Sequence, residues 1–280
     1  MPVNTSKTKV NGRTVLVSLP AGYGQSSGSG MNRVYNVLYV LDAGQTVFSL
    51  CAQAARESHA ATLNQSGRQW HPELIVVALS EAPSRGGEHA LLDFLTTDVV
   101  PHVDSKYHTN PYAAGRAVLG HDALGAGAMR RLLIGDENAD RRKAFRFYLL
   151  GGGGGGIATP APSAASESEL PPKTAVYLSA STDAGAATAA RDFEGALVKR
   201  ASMGATQVSM FVNRDGEQTY TRKEVDSGGK PITLELLEGP ANSDAARAAF
   251  ATRALDWLGL RLERQKLESL GSLMPWHEFK

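Results

Sequence analysis

Two short runs of the chain, residues 35–41 (YNVLYVL) and 74–79 (LIVVAL), are apolar at nearly every position instead of at alternate ones. A strand with that pattern must be shielded from water on both faces, the situation of a central strand in a parallel sheet covered by helices above and below. The neighbouring segments fit that demand. Residues 13–19 (RTVLVSL) alternate like a half-buried strand and stop at Pro20, while 46–58 place Val47, Leu50, Cys51 and Ala54 at helical spacing. Residues 91–107 do the same with Leu92, Leu95, Val99 and Val103, and Pro101, which has no N–H to give, is expected to kink or divide that helix.

The alternation continues. Residues 117–120 read as a strand that enters a sharp turn at 120–125 and then an Ala/Leu-rich helix ending near Gly135. Residues 145–150 are a further strand, which empties into six glycines, 151–156, and a Pro/Ala/Ser stretch reaching to Pro172. No Gly-Lys-Ser/Thr and no helix start follow those glycines, so 151–172 is expected to be a flexible insertion and not a phosphate cradle. Beyond it come a strand at 175–180, a helix at 185–203, a hairpin of 207–213 with 218–223 around Arg214-Asp215-Gly216, a last strand at 232–237 and a helix starting near Ser243. The layout is α/β, a mostly parallel central sheet with helices on both faces. No internal repeat is visible.

Charge narrows the function classes. Twenty-nine basic against 28 acidic residues give a net charge of +1, so no surplus cation is present to drive nucleic-acid binding by counterion release. The single cysteine, Cys51, excludes an intramolecular disulfide and a Cys-based zinc cage, and reads as a small buried hydrophobe. No histidine pair has the spacing of a helical zinc motif, so neither metal nor cofactor is expected. No run approaches the roughly 18 to 20 apolar residues of a membrane span, and the N-terminus has no secretory apolar core. The expected location is therefore intracellular. The first acidic residue is Asp42, preceded by Lys7, Lys9, Arg13 and Arg33, a composition similar to an organellar targeting segment. Mitochondrion and cytoplasm both stay open, and only the first ten or so residues are available as address.

Four stretches then carry a resemblance: 17–23 (VSLPAGY), 37–42 (VLYVLD), 94–107 (FLTTDVVPHVDSKY) and 116–122 (RAVLGHD). Their order and spacing over about residues 10–150 resemble the esterase group of the α/β-hydrolase fold that holds esterase D, feruloyl and siderophore esterases and the mycolyltransferases. The resemblance implies a three-layer α/β-hydrolase fold and places the nucleophile elbow, Gly-His-Ser-x-Gly-Gly in that family, at Gly120-His121-Asp122-Ala123-Leu124-Gly125. Asp122 stands in the serine position and Leu124 in a glycine position. The vestigial oxyanion region would be Ala43, Gly44 and the backbone N–H of Ala123. The acid member would be Asp183, and Asn242 stands near the position of the base.

Acyl transfer of this kind needs an imidazole as general base. The seven histidines are 59, 71, 89, 102, 108, 121 and 277, so none lies between His121 and His277. Asparagine cannot cycle a proton near neutral pH, and an acid with no histidine to orient has no catalytic task. The expectation is a catalytically inactive relative of the serine esterases, kept as a structural or interaction subunit of a larger protein assembly, homo- or hetero-oligomeric. Two alternatives stand beside it. One is a hydrolase with Asp122 as carboxylate nucleophile, its base His121 or His277; the other is a binding module with a vestigial ligand pocket. Asp122 also reads as a cap of the helix that follows it. The domain is expected to occupy residues 1–258 and an extension 259–280, whose Leu270, Met274, Trp276 and Phe279 are candidates for contact with a partner protein.

Overall fold

The computed structural model describes residues 5–24, 33–41, 45–66, 73–79, 86–134, 139–152, 170, 174–181, 184–201, 209–211, 232–237 and 243–271. Among the described residues nine strands form one sheet: β1 (Thr5–Val10), β2 (Arg13–Ser18), β3 (Asn36–Val40), β4 (Leu74–Leu79), β5 (Arg116–Gly120), β6 (Phe147–Leu150), β7 (Ala175–Ser181), β8 (Ser209–Phe211) and β9 (Ile232–Leu237). Their spatial order is β1-β2-β4-β3-β5-β6-β7-β9-β8. β2 runs antiparallel to β1 and to β4, and every other pairing is parallel.

The double-sided apolar runs lie where their composition requires. On β3, Val37 and Tyr39 face one core while Leu38 and Val40 face the other; on β4, Ile75, Val77 and Leu79 alternate in the same way with Leu74, Val76 and Ala78. Helices α1 (Gln45–Ser66) and α7 (Asp244–Gly271) cover the second core with Val47, Phe48, Cys51, Phe250, Leu255 and Leu258. The first core lies under α2 (Gly87–Asp93), α3 (Val100–Lys106), α4 (Ala123–Ile134) and α6 (Ala184–Ala201); a short α5 (Ala139–Lys143) joins α4 to β6. The result is three layers, helices on both sides of a twisted sheet. Cys51 is fully buried, and Trp257 stacks near Tyr177 of β7, ring centroids 5.8 Å apart.

Several expectations are corrected. Residues 5–10 are not spare sequence available as address: they pair with β2 across a turn in which Asn11 and Gly12 both have positive φ, 44° and 80°. Asn-Gly is the pair that a tight hairpin turn selects. The division expected at Pro101 is present, and it takes the form of a wider turn just before the proline. Between α2 and α3 the chain widens to a π-turn over Phe94–Val99, where the Val100 N–H reaches back to the Leu95 carbonyl and the hydroxyls of Thr96 and Thr97 bond the carbonyls of Leu92 and Asp93. The wider turn accommodates a residue that has no N–H to place in the α-helical ladder. β8 pairs in parallel with β9, and 218–223, the other strand of the expected hairpin, lie outside the described residues.

The glycine run and the C-terminus differ from expectation as well. Gly151 and Gly152, read as the start of a flexible insertion, are buried parts of the fold, and Leu170 packs into the first core; 153–169 and 171–172 lie outside the described residues. Gly259 does not end the last helix, because α7 runs unbroken to Gly271 and buries Leu262 in the second core. The helix therefore crosses the expected boundary at 258, and 272–280 lie outside the described residues. No helix among the described residues is long and apolar enough to cross a membrane.

One buried carboxyl has a thermodynamic consequence. Glu194 on α6 is buried, no described group bonds its Oε1, and burial pushes its pKa up to about 7, against a smaller downward pull from Arg191. The folded chain thus holds a proton there that the unfolded chain releases near 4.5. Stability contributed by this group is complete below about pH 4.5 and is lost as the pH rises through 7. Glu194→Gln is expected to raise unfolding stability by on the order of 2 kcal/mol at pH 8 and by much less at pH 5, read from urea denaturation at the two pH values.

Candidate functional site

The elbow is built by backbone contact. β5 ends at Gly120, the chain reverses, and α4 starts at Ala123 with the Asp122 carbonyl accepting the Ala126 N–H at 2.7 Å. A Cβ on Gly120 would collide with the carbonyl of Gly125 and the nitrogen of Ala126. Only glycine lets the first turn of a helix cross a strand end this closely. Leu124, in the motif's glycine position, is accommodated by leaning half-buried on the first core.

His121 is locked beneath this turn. Its ring lies 5.0 Å from that of Phe250 on α7, and a Cβ on Gly151 would approach both rings to 2.8 Å. A Cβ on Gly152, whose φ is +120°, would strike the His121 carbonyl. The first two of the six glycines are therefore required by the close approach of β6 to the elbow. The His121 side chain is 2% exposed. Burial lowers its pKa, opposed by Asp122 and aided by the positive charge of Arg247.

Asp122 beside it is more open, with 37% of its side chain in solvent. Its Oδ1 lies 3.4 Å from Nη2 of Arg247 and 3.5 Å from Nδ1 of His121. Arg247 reaches it from the first turn of α7, a helix whose start is fixed by Ser243: Oγ of Ser243 accepts the Ala246 N–H at 3.1 Å. The same guanidinium holds Asp244 through Nη1 at 3.1 Å. The cap sets the phase of the helix, so Arg247 meets the elbow and Phe250, three residues on, meets the imidazole.

Of the positions singled out in the sequence, Asp122 and Ala123 lie together at the elbow, with Asp122 in the N-cap position of α4 and Ala123 its exposed first residue. Ala43, Gly44, Asp183 and Asn242 lie outside the described residues, as do Met274, Trp276 and Phe279; Leu270 belongs to α7. Arg247 is the residue that sequence reading missed. Its local setting is an ordinary i, i+3 pair with Asp244, and its partner Asp122 is 125 positions away. The usable signal was the carboxylate itself, since a half-buried carboxylate at a helix start calls for a cation nearby. No group of three or more His, Cys, Asp or Glu that could hold a metal occurs among the described residues.

A pH dependence follows from His121. Its folded pKa lies below the ordinary 6.5, so the unfolded chain binds the proton first as the pH falls. The associated stability is complete above 6.5 and is lost on acidification below it. His121→Asn is expected to flatten the fall in stability between about pH 6.5 and 5, measured by urea denaturation across that range. An unchanged slope would show that His121 is not held neutral.

Residues 6–133 match the family described as "Putative esterase". No curated protein matches the sequence. Among solved structures, a ferulic acid esterase aligns with 14% identity over 93% of this chain and 98% of its own, with a TM-score of 0.59. The BES protein from Bacillus cereus aligns with 14% identity over 92% and 95% at 0.56, and a siderophore hydrolase from Aspergillus nidulans with 12% identity over 92% and 94% at 0.54. At such identities these likenesses speak to architecture, and they cover the chain nearly end to end. With its sheet order, its strand-elbow-helix turn and these structural likenesses, the chain has the α/β-hydrolase fold, and its residues 6–133 are similar to the family described as putative esterase.

Proposed function

We propose that this protein is a non-hydrolytic member of the esterase family, retained as a structural or interaction subunit of a larger assembly. The observation that carries the reading is the Asp122–Arg247 pair. Serine hydrolysis needs a hydroxyl that gives its proton to an imidazole, and at this elbow a carboxylate faces a guanidinium. Arginine does not give up its proton in proteins, so it cannot serve as general base. The neighbouring imidazole is buried against Phe250, away from any water it would have to activate.

A second reading is favoured by one contact, the 3.5 Å approach of His121 Nδ1 to Asp122 Oδ1. In it the Asp122 carboxylate would attack substrate and His121 would draw the proton from the water that resolves the covalent adduct. Against it, the pairing of Asp122 with Arg247 withdraws charge from the attacking oxygen, and the buried ring has little access to that water. A third reading, a vestigial ligand pocket that binds without turnover, has no particular contact in its favour.

The expected partners are other protein subunits, in a homo- or hetero-oligomer, with Leu270, Met274, Trp276 and Phe279 as candidate contacts. The intracellular setting, mitochondrion or cytoplasm, belongs to the same proposal. Because Leu262 is part of the core, an informative truncation removes only 272–280. It is expected to lower oligomer or complex mass in sedimentation while leaving the thermal midpoint within about 2 °C. A large drop in the midpoint would show that the segment completes the fold.

Catalysis is tested directly with short-chain aryl esters and thioesters. Wild-type protein is expected to show no turnover above the buffer rate, and Asp122→Asn to leave that result unchanged. Turnover abolished by Asp122→Asn would establish the carboxylate-nucleophile reading in place of the proposed one. Turnover that survives the substitution would locate the chemistry elsewhere.

A further inference from the structure

The corner between β1 and β2 carries a reactive pair. Of the nine asparagines in the chain, only Asn11 is followed by glycine. Asn11 is also the one non-glycine residue with positive φ among those described, and both corner residues are exposed. A Cβ on Gly12 would meet nothing within 4 Å, so nothing crowds the residue after Asn11. Glycine in that position leaves its backbone nitrogen unhindered and mobile, the condition under which an asparagine side chain closes on its own main chain.

The chemistry needs only water. The Gly12 nitrogen gives its proton to solvent base and attacks Cγ of Asn11; the N–Cγ bond forms, the Cγ–Nδ2 bond breaks, and Nδ2 leaves as ammonia. Water then opens the resulting five-membered imide. Opening at Cγ gives aspartate; opening at the main-chain carbonyl gives isoaspartate, with the backbone rerouted through Cβ and Cγ. Nothing is oxidised or reduced.

What makes this corner more than a susceptible dipeptide is the group facing it. Nδ2 of Asn11, the departing atom, donates to Oδ1 of Asp98 at 2.5 Å, tying the hairpin to the π-turn before α3. Two further ties hold the hairpin there: Lys106 of α3 donates to the Thr8 hydroxyl at 3.1 Å, and the Arg13 guanidinium lies 4.7 Å from the centre of the Phe94 ring. β1 is the edge strand and pairs with β2 alone. We propose that Asn11 is a covalent modification site, where loss of the side-chain amide, restrained by Asp98, turns the Asn11–Asp98 tie into a repulsion that loosens β1 from the body of the fold.

The same carboxylate acts in opposite senses before and after. While the amide is present, its bond to Asp98 holds the side chain away from the Gly12 nitrogen, so the reaction waits on that bond opening. Once the amide is gone, either product sets a second carboxylate beside Asp98, and like charges at such a distance repel. Isoaspartate also lengthens the main chain at a corner whose register is fixed from Thr5↔Ser18 to Val10↔Arg13, and a two-residue turn has no slack to absorb it. The corner shares no residue with the elbow, so the fate of Asn11 is independent of whether Asp122 performs chemistry.

The test ages the full-length protein in mildly alkaline buffer, then unfolds it and digests it with trypsin, which cuts after Lys9 and Arg13 and releases residues 10–13. An unaged sample digested alongside sets the background. Expected is progressive exchange of the amide for a carboxyl in this peptide by mass, with new methyl acceptance from an isoaspartyl methyltransferase. Asp98→Ala is expected to quicken the conversion about threefold. Asn11→Asp, which builds in the aspartyl product, is expected to raise hydrogen exchange of the amides of β1 about tenfold while β3 and β5 keep theirs, and adding Asp98→Asn to it is expected to restore the protection. An amide at 11 that survives in the folded protein while a free peptide of residues 7–15 converts would show a protected turn and overturn the proposal. An unchanged rate in an Asp98→Ala protein that melts with the wild type, or unchanged exchange of β1 in Asn11→Asp, overturns it as well.

Discussion

The contact between the end of β5 and the first turn of α4 constrains everything at the C-terminal edge of this sheet. Gly120 lies against the backbone of Gly125 and Ala126, and that closeness forces the reversal that lifts residue 122 above the strand ends. It also presses His121 down into the layer where α7 and β6 meet it. Phe250 fills the space beside the imidazole, and β6 can pass only as glycine at 151 and 152. The elbow is thus held by shape from below. None of these contacts requires a serine at 122.

What replaces the serine is held from above by charge. The Asp122–Arg247 pair is partly exposed, and pairs of that kind contribute about 0 to 1 kcal/mol. Its effect is geometric more than energetic, since it links the elbow to the start of α7 across 125 residues of sequence. In a serine hydrolase the corresponding link is a hydrogen bond through which a proton moves. Here the bond joins a group that has no proton to give and one that will not release its own. The link is one of charge and shape, and under the proposed reading it carries no proton.

The sequence made the layers legible because double-sided apolar strands have few alternatives. Residues 35–41 and 74–79 could be placed at the centre of a sheet before any coordinates, and β3 and β4 lie there. The turn at 120–125 was equally readable, since Gly-His-Asp-Ala-Leu-Gly after a strand leaves little room for another geometry. Asn11-Gly12 announces the hairpin that makes residues 5–10 a strand, whereas the absent N–H of Pro101 marks where the helix is divided but not that the division is a π-turn. Gly151 and Gly152 were beyond local reading: their reason is the approach of His121 and Phe250 from elsewhere in the chain, and a glycine run looks the same whether its first members are free or crushed. Arg247 was hidden for the same reason, because its decisive partner is distant in sequence.

The residues that pack the two cores and the paired charges at the elbow are different residues in this molecule. The two cores are built from alternating side chains of β3, β4, β5 and β6 with the faces of the helices, and neither contains Asp122 or Arg247. His121 and Phe250 stabilise by packing, and burial favours the neutral form of that imidazole. A substitution at 122 therefore leaves the apolar burial that dominates folding untouched. At the opposite end of the sheet Tyr23, Tyr35 and Tyr107 pack against one another, while the exposed Val34 and Tyr112 belong to neither core.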